Sequence, residues 1–401
     1  MKRLEKFLRP YRRESILAPL FKLLEVVFDL MVPVVVAQII DVGVAKNDRG
    51  YIVEMFFVLL LMAAVGLLCS FSAQFFAAKA SVGFATSVRQ AMFDHIQGLS
   101  FTELDTLGTD TLITRLTDDV NQVQNGINMG LRLLLRSPFV VIGAMVMAFT
   151  INVRCALIFV VTVPILFVVV FSIMLISIPL FKKVQAGLDR VTGLTRENLT
   201  GVRVIRAFRM EEQEQKHFRQ ENEHLTDLQK FVGRISGLMN PVTYIIVNGA
   251  VIVLLYTGAV RVDAGILTQG QVVALVNYMN QILVELVKLA NLIITVTKAV
   301  ACGNRIQSVF EIPCSMKNGI EEIGNTITSL QFDHVGLTYA EAGTESLTDI
   351  DFTAHAGETI GVIGGTGSGK SSLINLIPRF YDATAGAVRI NGEDVKNYDK
   401  E

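Results

Sequence analysis

The sequence contains little charge, and this shortage excludes an ordinary soluble protein. Only 18% of its 401 residues are Asp, Glu, Lys or Arg, whereas 51% are hydrophobic and the mean hydropathy is +0.48. Because a soluble domain has about 25% charged residues, the composition predicts membrane spans. The net charge of −1 lacks the basic excess that favours nucleic-acid binding, so no nucleic-acid partner is predicted.

Cysteines are also scarce, and their spacing argues against a metal centre or a disulfide framework. The chain has four of them, Cys69, Cys155, Cys302 and Cys314, with no C-x-x-C spacing. Two lie in apolar runs, so we interpret them as buried or neutral thiols.

The N-terminal 13 residues lack the compact apolar core and small-residue cleavage site of a signal peptide. Six of them are Lys or Arg, interleaved with Leu and Phe. This pattern predicts a basic, partly amphipathic segment that lies on the cytoplasmic face of a membrane.

Six apolar segments then predict six transmembrane helices. They cover residues 16–40, 55–78, 137–153, 155–181, 235–260 and 264–284. The first is the weakest, because Glu25 and Asp29 interrupt it. Prolines lie in or near several of the segments, which membrane helices tolerate.

Loop length and charge predict the orientation. The basic N-terminus should stay inside, which leaves three short outside connections at 41–50, 152–154 and 257–270. The inside connections, 79–136 and 182–234, are long and charged, and we expect them to be helical. In the second of these, apolar residues recur every three positions from Leu199 to Phe208, which predicts one helix with an apolar face.

The stretch GGTGSGKS at 364–371 fits G-x-x-x-x-G-K-[ST], the phosphate-binding loop. Its glycines allow successive backbone N–H groups to point at phosphate oxygens, and the following helix adds its positive end. Lys370 can reach the β- and γ-phosphates, and the Ser371 hydroxyl can bind Mg²⁺. Residues 359–363 before the loop predict a buried strand, and 371–377 predict a helix that Pro378 ends. ATP and Mg²⁺ are therefore the predicted cofactors.

Short strands frame this loop after a polar linker. Alternation predicts strands near 330–337 and 350–354, and residues 388–390 followed by Asn391 and Gly392 predict a strand and a tight turn. Tyr339, between the first two strands, is an aromatic that could stack on adenine, although its spacing alone also allows a core or surface tyrosine.

Together these features resemble the ABC exporter half-transporters of the multidrug or lipid type, over essentially the whole chain. Residues 332–339 resemble the family's first strand and adenine-stacking loop, 356–359 its turn before the Walker A motif, and 376–386 the segment after it. Residues 107–120 and 197–208 resemble its two intracellular loops, whose short coupling helices seat on nucleotide-binding domains. The resemblance implies ATP-driven export by two such halves, as a homodimer or heterodimer, in a bacterial plasma membrane with the nucleotide-binding domain in the cytoplasm.

The expected fold is thus an α-helical membrane protein with six transmembrane helices and long cytoplasmic extensions, plus an incomplete α/β P-loop domain. We assign 1–312 to the transmembrane domain, 313–328 to a linker and 329–401 to the first part of the nucleotide-binding domain. The resemblance implies the following nucleotide-binding residues: Tyr339, Gly364, Gly365, Thr366, Gly367, Ser368, Gly369, Lys370, Ser371 (also the Mg²⁺ ligand) and Ser372.

The family's glutamine loop, LSGGQ signature, Walker B carboxylate, catalytic glutamate and switch histidine do not occur in the 401 residues. Catalytic residues are therefore expected beyond Glu401, and these residues alone should be inactive as an ATPase. Two functions stay open: a subunit of an ATP-driven exporter, which the intact P-loop favours, and a non-catalytic membrane protein with a vestigial nucleotide site. A P-loop kinase fits poorly, because it needs no membrane spans.

The sixth predicted span carries polar and charged residues that are candidates for the substrate pathway. Glu285 and Lys288 lie three positions apart, so they share a helix face and can pair, and Gln281 precedes them. Ionisable groups in a span often mark a pathway. The alternative is a pair at the cytoplasmic end of the helix that lies in water and neutralises itself.

Overall fold

The computed structural model describes residues 4–316, 318–322, 324, 326–340 and 342–399. Of the basic segment predicted at 1–13, Met1, Lys2 and Arg3 lie outside the described residues. Its remainder forms two short 3₁₀ turns, Leu4–Phe7 and Arg9–Tyr11, directly before the first long helix.

Helices dominate the first 310 residues. In chain order the α-helices are α1 (Arg12–Gln38), α2 (Arg49–Gln97), α3 (Phe101–Leu107), α4 (Thr109–Thr114), α5 (Val120–Leu133), α6 (Arg136–Ile151), α7 (Val153–Thr200), α8 (Val202–Ala207), α9 (Glu211–Gly237), α10 (Met239–Asp263), α11 (Gln269–Phe310) and α12 (Lys370–Leu376). Two π-helical segments, Ile39–Val44 and Arg115–Asp119, extend α1 and join α4 to α5. The predicted helical character of both long inside connections is therefore confirmed.

Among the described residues, five helical segments are long and apolar enough to cross a membrane. They are Arg9–Val44, Arg49–Gln97, Thr109–Ile151, Val153–Thr200 and Glu211–Asp263. At 1.5 Å per residue, the 49 residues of α2 extend about 74 Å, more than twice the roughly 30 Å of a bilayer's hydrocarbon core. The helices therefore continue well beyond the membrane, as the long extensions predicted from sequence require.

The sixth predicted span falls in α11, which is not among those five segments. Asn277, Asn280, Gln281, Glu285 and Lys288 interrupt its apolar residues, which lowers its hydropathy. The helix nevertheless supplies fully buried side chains such as Leu275, Tyr278 and Met279 to the same hydrophobic core as α1, α6, α7 and α10. Packing against other helices, rather than contact with lipid, accounts for its place in the bundle.

The chain divides into two compact units. We call Tyr11–Ser81 with Gly126–Thr297 the bundle unit, and Met1–Pro10, Val82–Asn125 and Lys298–Glu401 the P-loop unit. The predicted domain division into 1–312, 313–328 and 329–401 stays a prediction.

The bundle unit is held by one large apolar core and by polar contacts at its ends. The Asn152 Oδ1 accepts from the N–H groups of Arg154 (3.1 Å) and Cys155 (3.3 Å) and so caps α7. At Gly270 a Cβ atom would lie 2.3 Å from the Ala37 carbonyl oxygen, so only glycine permits this approach of α11 to α1. Thus α1 and α11 are packed backbone to backbone at this end.

The P-loop unit contains an antiparallel sheet in the order β2-β1-β3-β4, formed by β1 (Ser329–Leu337), β2 (Leu347–His355), β3 (Ala385–Ile390) and β4 (Glu393–Asp394). Phe332 on β1 is fully buried and stacks on Phe352 with ring centroids 4.8 Å apart. Leu373 and Leu376 of α12 pack into the same core. The three strands and the Asn391–Gly392 turn predicted from sequence are confirmed, and the core they form supports α12 directly after the P-loop.

Two local predictions are wrong. Residues 359–363 form no strand and are exposed, because the buried interior of a parallel sheet requires neighbouring strands on both sides and the described strands pair only with each other. The helix expected from Leu199 to Phe208 breaks at Gly201, and both end residues are 73% exposed. The fold class is confirmed: a long-helix membrane protein with a small C-terminal sheet domain.

Candidate nucleotide site and buried ionic network

The P-loop is shaped by two glycines with positive φ. Gly367 (φ 83°) and Gly369 (φ 84°) adopt the left-handed backbone that side chains disfavour. A Cβ atom at Gly369 would also lie 2.8 Å from the Ser346 carbonyl oxygen and from Leu347. The loop therefore needs glycine at this position for both its conformation and its packing, and α12 begins at the next residue, Lys370.

Lys370 reaches back across the loop that precedes it. Its ammonium group donates to the carbonyl oxygens of Gly364 (2.8 Å) and Gly365 (2.6 Å) and lies 3.3 Å from the Ser368 hydroxyl. The hydrogen-bond donors of the site are thus the Lys370 ammonium group and the backbone of a glycine-rich loop. Ser371, the next residue, is exposed. This donor set fits a polyphosphate with a hydroxyl-bound Mg²⁺.

The structure brings Tyr339 to the same helix. Its hydroxyl donates to the Ser372 Oγ at 2.9 Å, although the two residues are 33 positions apart. Its ring meets that of Tyr381 edge to face, with centroids 5.0 Å apart and planes at 89°. Tyr339 is half-buried, so part of its surface stays available for stacking. Of the predicted nucleotide residues, Tyr339, Ser372 and the P-loop therefore lie together.

Sequence reasoning missed how this cluster contacts α3 within the P-loop unit. The Tyr381 hydroxyl donates to the Asp105 carboxylate at 2.5 Å, and Phe380 packs on Phe101 with centroids 4.6 Å apart. Burial and the bond to Asp105 raise the pKa of Tyr381 to about 12. Tyr339 contacts Tyr381, and Tyr381 contacts Asp105. These contacts connect Tyr339, the residue expected to stack on adenine, to α3.

A capping box fixes the start of α3. Glu103 accepts from the Ser100 N–H at 2.8 Å, and its other oxygen accepts from the Ser315 N–H at 3.1 Å. Partial burial opposes ionisation of Glu103, but hydrogen bonds from both serines prevail and lower its pKa. These contacts hold the start of α3 against Ser315, in the segment that follows α11.

In the bundle unit, Arg136 lies at the centre of a buried ionic network. Its guanidinium contacts Glu25 (2.8 Å) and Asp29 (3.1 Å) on α1 and Glu285 (3.6 Å) on α11. Glu285 also pairs with Lys288 at 2.8 Å and accepts from the Ser137 hydroxyl at 2.9 Å. The pairing predicted from the spacing of Glu285 and Lys288 is therefore present, and the side chain of Glu285 is only 5% exposed.

The position of this network along the helices places it away from their ends. The Asp41 carboxylate accepts from the Gly270 N–H at 2.8 Å, which marks the shared end of the π-helical extension and α11. Asp29 lies 12 residues before Asp41 and Glu285 lies 15 after Gly270, or about 18 and 22 Å along a helix. Both distances are shorter than the roughly 30 Å of a bilayer's hydrocarbon core.

A cavity of about 580 Å³ opens beside the network. Its polar lining consists of Asp29, Arg136, Asn277, Asn280, Gln281, Glu285 and Lys288. Its apolar lining consists of Val32, Pro33, Val36, Val140 and Val284. The three candidate pathway residues therefore share one cavity, where polar groups face valine and proline side chains.

Comparison with known proteins is consistent with this architecture. A family model described as the ABC transporter transmembrane region matches residues 15–286, and one described as ABC transporter matches residues 347–401. The chain belongs to the ABC transporter family. The matches cover both the helical region and the domain that begins before the P-loop, so the resemblance stated from the sequence is confirmed.

Several relatives align over nearly the entire chain. An uncharacterized ABC transporter ATP-binding protein of Mycobacterium tuberculosis is 34% identical over 401 residues, which is 99% of this chain and 69% of the relative. A Bacillus subtilis protein named as a multidrug export ATP-binding/permease protein is 28% identical, over 100% of this chain and 70% of its own length. The ATP-dependent lipid A-core flippase of Blochmanniella pennsylvanica is 23% identical, over 99% and 68%. The chain thus spans about two thirds of the length of these relatives.

Proposed function

We propose that this chain is the membrane region and nucleotide-contacting part of a half-transporter that exports a substrate at the expense of ATP. It acts in a bacterial plasma membrane, with its N-terminus and P-loop in the cytoplasm, and it pairs with a second half-transporter. The relatives named for multidrug export and for lipid A-core flipping support the exporter class.

The observation that carries this proposal is the combination of an intact P-loop with a match to the family's membrane region over 15–286. The Lys370 ammonium donates hydrogen bonds to the loop carbonyl oxygens of Gly364 and Gly365. When a nucleotide binds, the ammonium can donate to the phosphate oxygens instead. In this proposal Tyr339 contacts the adenine base and Ser371 holds Mg²⁺. When bound, MgATP supplies the free energy that drives transport.

Binding of the base can be separated from binding of the phosphates. Tyr339→Ala should weaken ATP binding several-fold but leave inorganic tripolyphosphate binding unchanged, because only ATP has a ring for the tyrosine to contact. Tyr339→Phe removes the hydroxyl bond to Ser372 and keeps the ring, so it should retain most of the affinity for ATP. Equal losses for ATP and tripolyphosphate in Tyr339→Ala would contradict the assignment of Tyr339 to the base.

The cavity residues Gln281, Glu285 and Lys288 are proposed to line the substrate pathway. A cysteine at position 281, in a background in which the exposed Cys314 is serine, should react with a water-soluble thiol reagent from the cytoplasmic side. In the full-length dimer, trapping of nucleotide should change that rate, because the pathway then faces the other side. The variant Leu61→Cys, at an exposed position of α2, serves as control, and a rate at 281 that is indifferent to nucleotide would contradict the pathway role.

A further inference from the structure

The cavity beside Arg136 is lined by an alternating row of charges. Asp29, Arg136, Glu285 and Lys288 follow one another as acid, base, acid and base, with successive contacts of 3.1, 3.6 and 2.8 Å. The two inner members are almost fully covered, with side chains 16% and 5% exposed. The two outer members are open: the side chain of Asp29 is 45% exposed and that of Lys288 is 43% exposed.

The charges of the complete network cancel. Three bases, Lys22, Arg136 and Lys288, face three acids, Glu25, Asp29 and Glu285. A ligand with a single net charge would therefore leave one charge without compensation in a medium of low dielectric constant, which is costly. A ligand that carries both signs can meet Asp29 with its cationic group and Lys288 with its anionic group.

Two buried polar atoms at the same cavity make no hydrogen bond, although one of them, Arg136 Nε, lies 3.6 Å from a Glu285 carboxylate oxygen in an ion pair. In the part of the chain that the structure describes, Arg136 Nε and Gln281 Oε1 are buried and make no hydrogen bond. One is a donor and the other an acceptor, so a ligand with both kinds of polar atom would satisfy both. Val32, Val36 and Val284 provide apolar surface beside them.

We infer that this cavity binds the head group of a zwitterionic amphiphile, with its cationic group at Asp29, its anionic group at Lys288 and Arg136, and its apolar chain along the valines. This inference rests on the proposed function, because it names the substrate class of the proposed pathway. Neither the charges nor the buried polar atoms that lack a hydrogen bond are explained by packing alone, because apolar residues would fill the same space at lower cost.

The test uses four amphiphiles with the same eight-carbon chain: octylphosphocholine, octyl sulfate, octyltrimethylammonium and octyl glucoside. The reporter is Val284→Cys, whose side chain lines the cavity, in the 401-residue chain with the exposed Cys314 replaced by serine and purified in an uncharged detergent. The measured quantity is the rate at which a water-soluble maleimide labels it. Leu61→Cys, on the exposed face of α2, corrects for partition of each amphiphile into the micelle.

Octylphosphocholine should protect Val284→Cys at a concentration about tenfold lower than any of the other three. Asp29→Asn should weaken that protection about tenfold and make octyl sulfate the preferred ligand, whereas Lys288→Met should do the reverse and favour octyltrimethylammonium. Lys288→Arg should restore the wild-type order. Lys298→Met and Asp263→Asn, exposed positions outside the cavity, are the matched controls and should change nothing.

A purely structural role for the charges would not make the two variants prefer ligands of opposite sign. Equal protection by all four amphiphiles, a stronger effect of a singly charged one on the wild-type chain, or a ligand order unchanged by both substitutions would overturn the inference. None of these readouts needs nucleotide, so a failure here leaves the ATP-dependent experiments on Tyr339 and position 281 to be judged separately.

Discussion

Replacing Arg136 with methionine tests whether the ionic network holds α1, α6 and α11 together. The substitution removes the cation from Glu25, Asp29 and Glu285 at once. Glu25 keeps Lys22 at 2.6 Å, and Glu285 keeps Lys288 at 2.8 Å, so neither is left without a partner. Asp29 is 45% exposed and contributes little.

The expected loss in the free energy of unfolding depends on how far each ion pair is buried. Removing one partner of a buried ion pair costs about 3–5 kcal/mol, and the remaining cations place this case near the lower end, at about 3 kcal/mol. With roughly 2–4 °C per kcal/mol, the thermal midpoint should fall by about 6–12 °C. In a background in which the exposed Cys314 is serine, the assay follows the labelling of Cys69 and Cys155, which are buried in the folded bundle unit and become reactive as it unfolds.

Arg190→Met is the matched control. Arg190 pairs with Glu221 at 3.4 Å on the surface of the bundle unit, and its side chain is 66% exposed. Surface pairs contribute about 0–1 kcal/mol, so its midpoint should hardly change. If Arg136→Met lowers the midpoint no more than Arg190→Met does, the network is not stabilising and the reasoning is refuted.

Three further outcomes are expected. Phe332→Ala should destabilise the P-loop unit by about 3–5 kcal/mol, measured as loss of ATP-analogue binding at a lower temperature than in the wild type, because Phe332 is fully buried; an unchanged profile would contradict this. The folded pKa of Glu103 lies below its ordinary value of 4.5, so its stabilising effect is present above pH 4.5 and is lost as the pH falls through the folded value. The thermal midpoints of wild type and Glu103→Gln should therefore differ well above pH 4.5 and converge below it, and a constant difference would argue against the lowered pKa. A polypeptide of residues 1–401 should release no phosphate from ATP above background, and Mg²⁺-dependent turnover that Lys370→Ala abolishes would show that the family's missing motifs are not needed.

The parts predicted well from sequence are those fixed by short-range patterns. The P-loop glycines, the helix after them and the Asn391–Gly392 turn follow from local backbone requirements, and the apolar runs follow from the thickness of a bilayer. The pairing of Glu285 with Lys288 followed from helical spacing alone.

What failed or was missed depends on neighbours distant in sequence. Residues 359–363 have a strand's composition but lack paired strands beside them among the described residues. The contact of Tyr381 with Asp105 joins positions 276 apart, and that of Arg136 with Glu25 joins positions 111 apart. No periodicity specifies such pairs, so the position of α3 at the nucleotide cluster and the network around Arg136 became visible only in the structure.

The central claim, that this chain's P-loop binds MgATP, is tested most directly by binding of a labelled ATP analogue to the purified chain with and without Lys370→Ala. Lys396→Ala is the control, since Lys396 also donates to a backbone carbonyl of the P-loop unit, that of Ala383 at 3.3 Å, but lies outside the loop. We predict saturable, Mg²⁺-dependent binding that Lys370→Ala abolishes and that Lys396→Ala retains. Equal binding by wild type and Lys370→Ala would contradict the account.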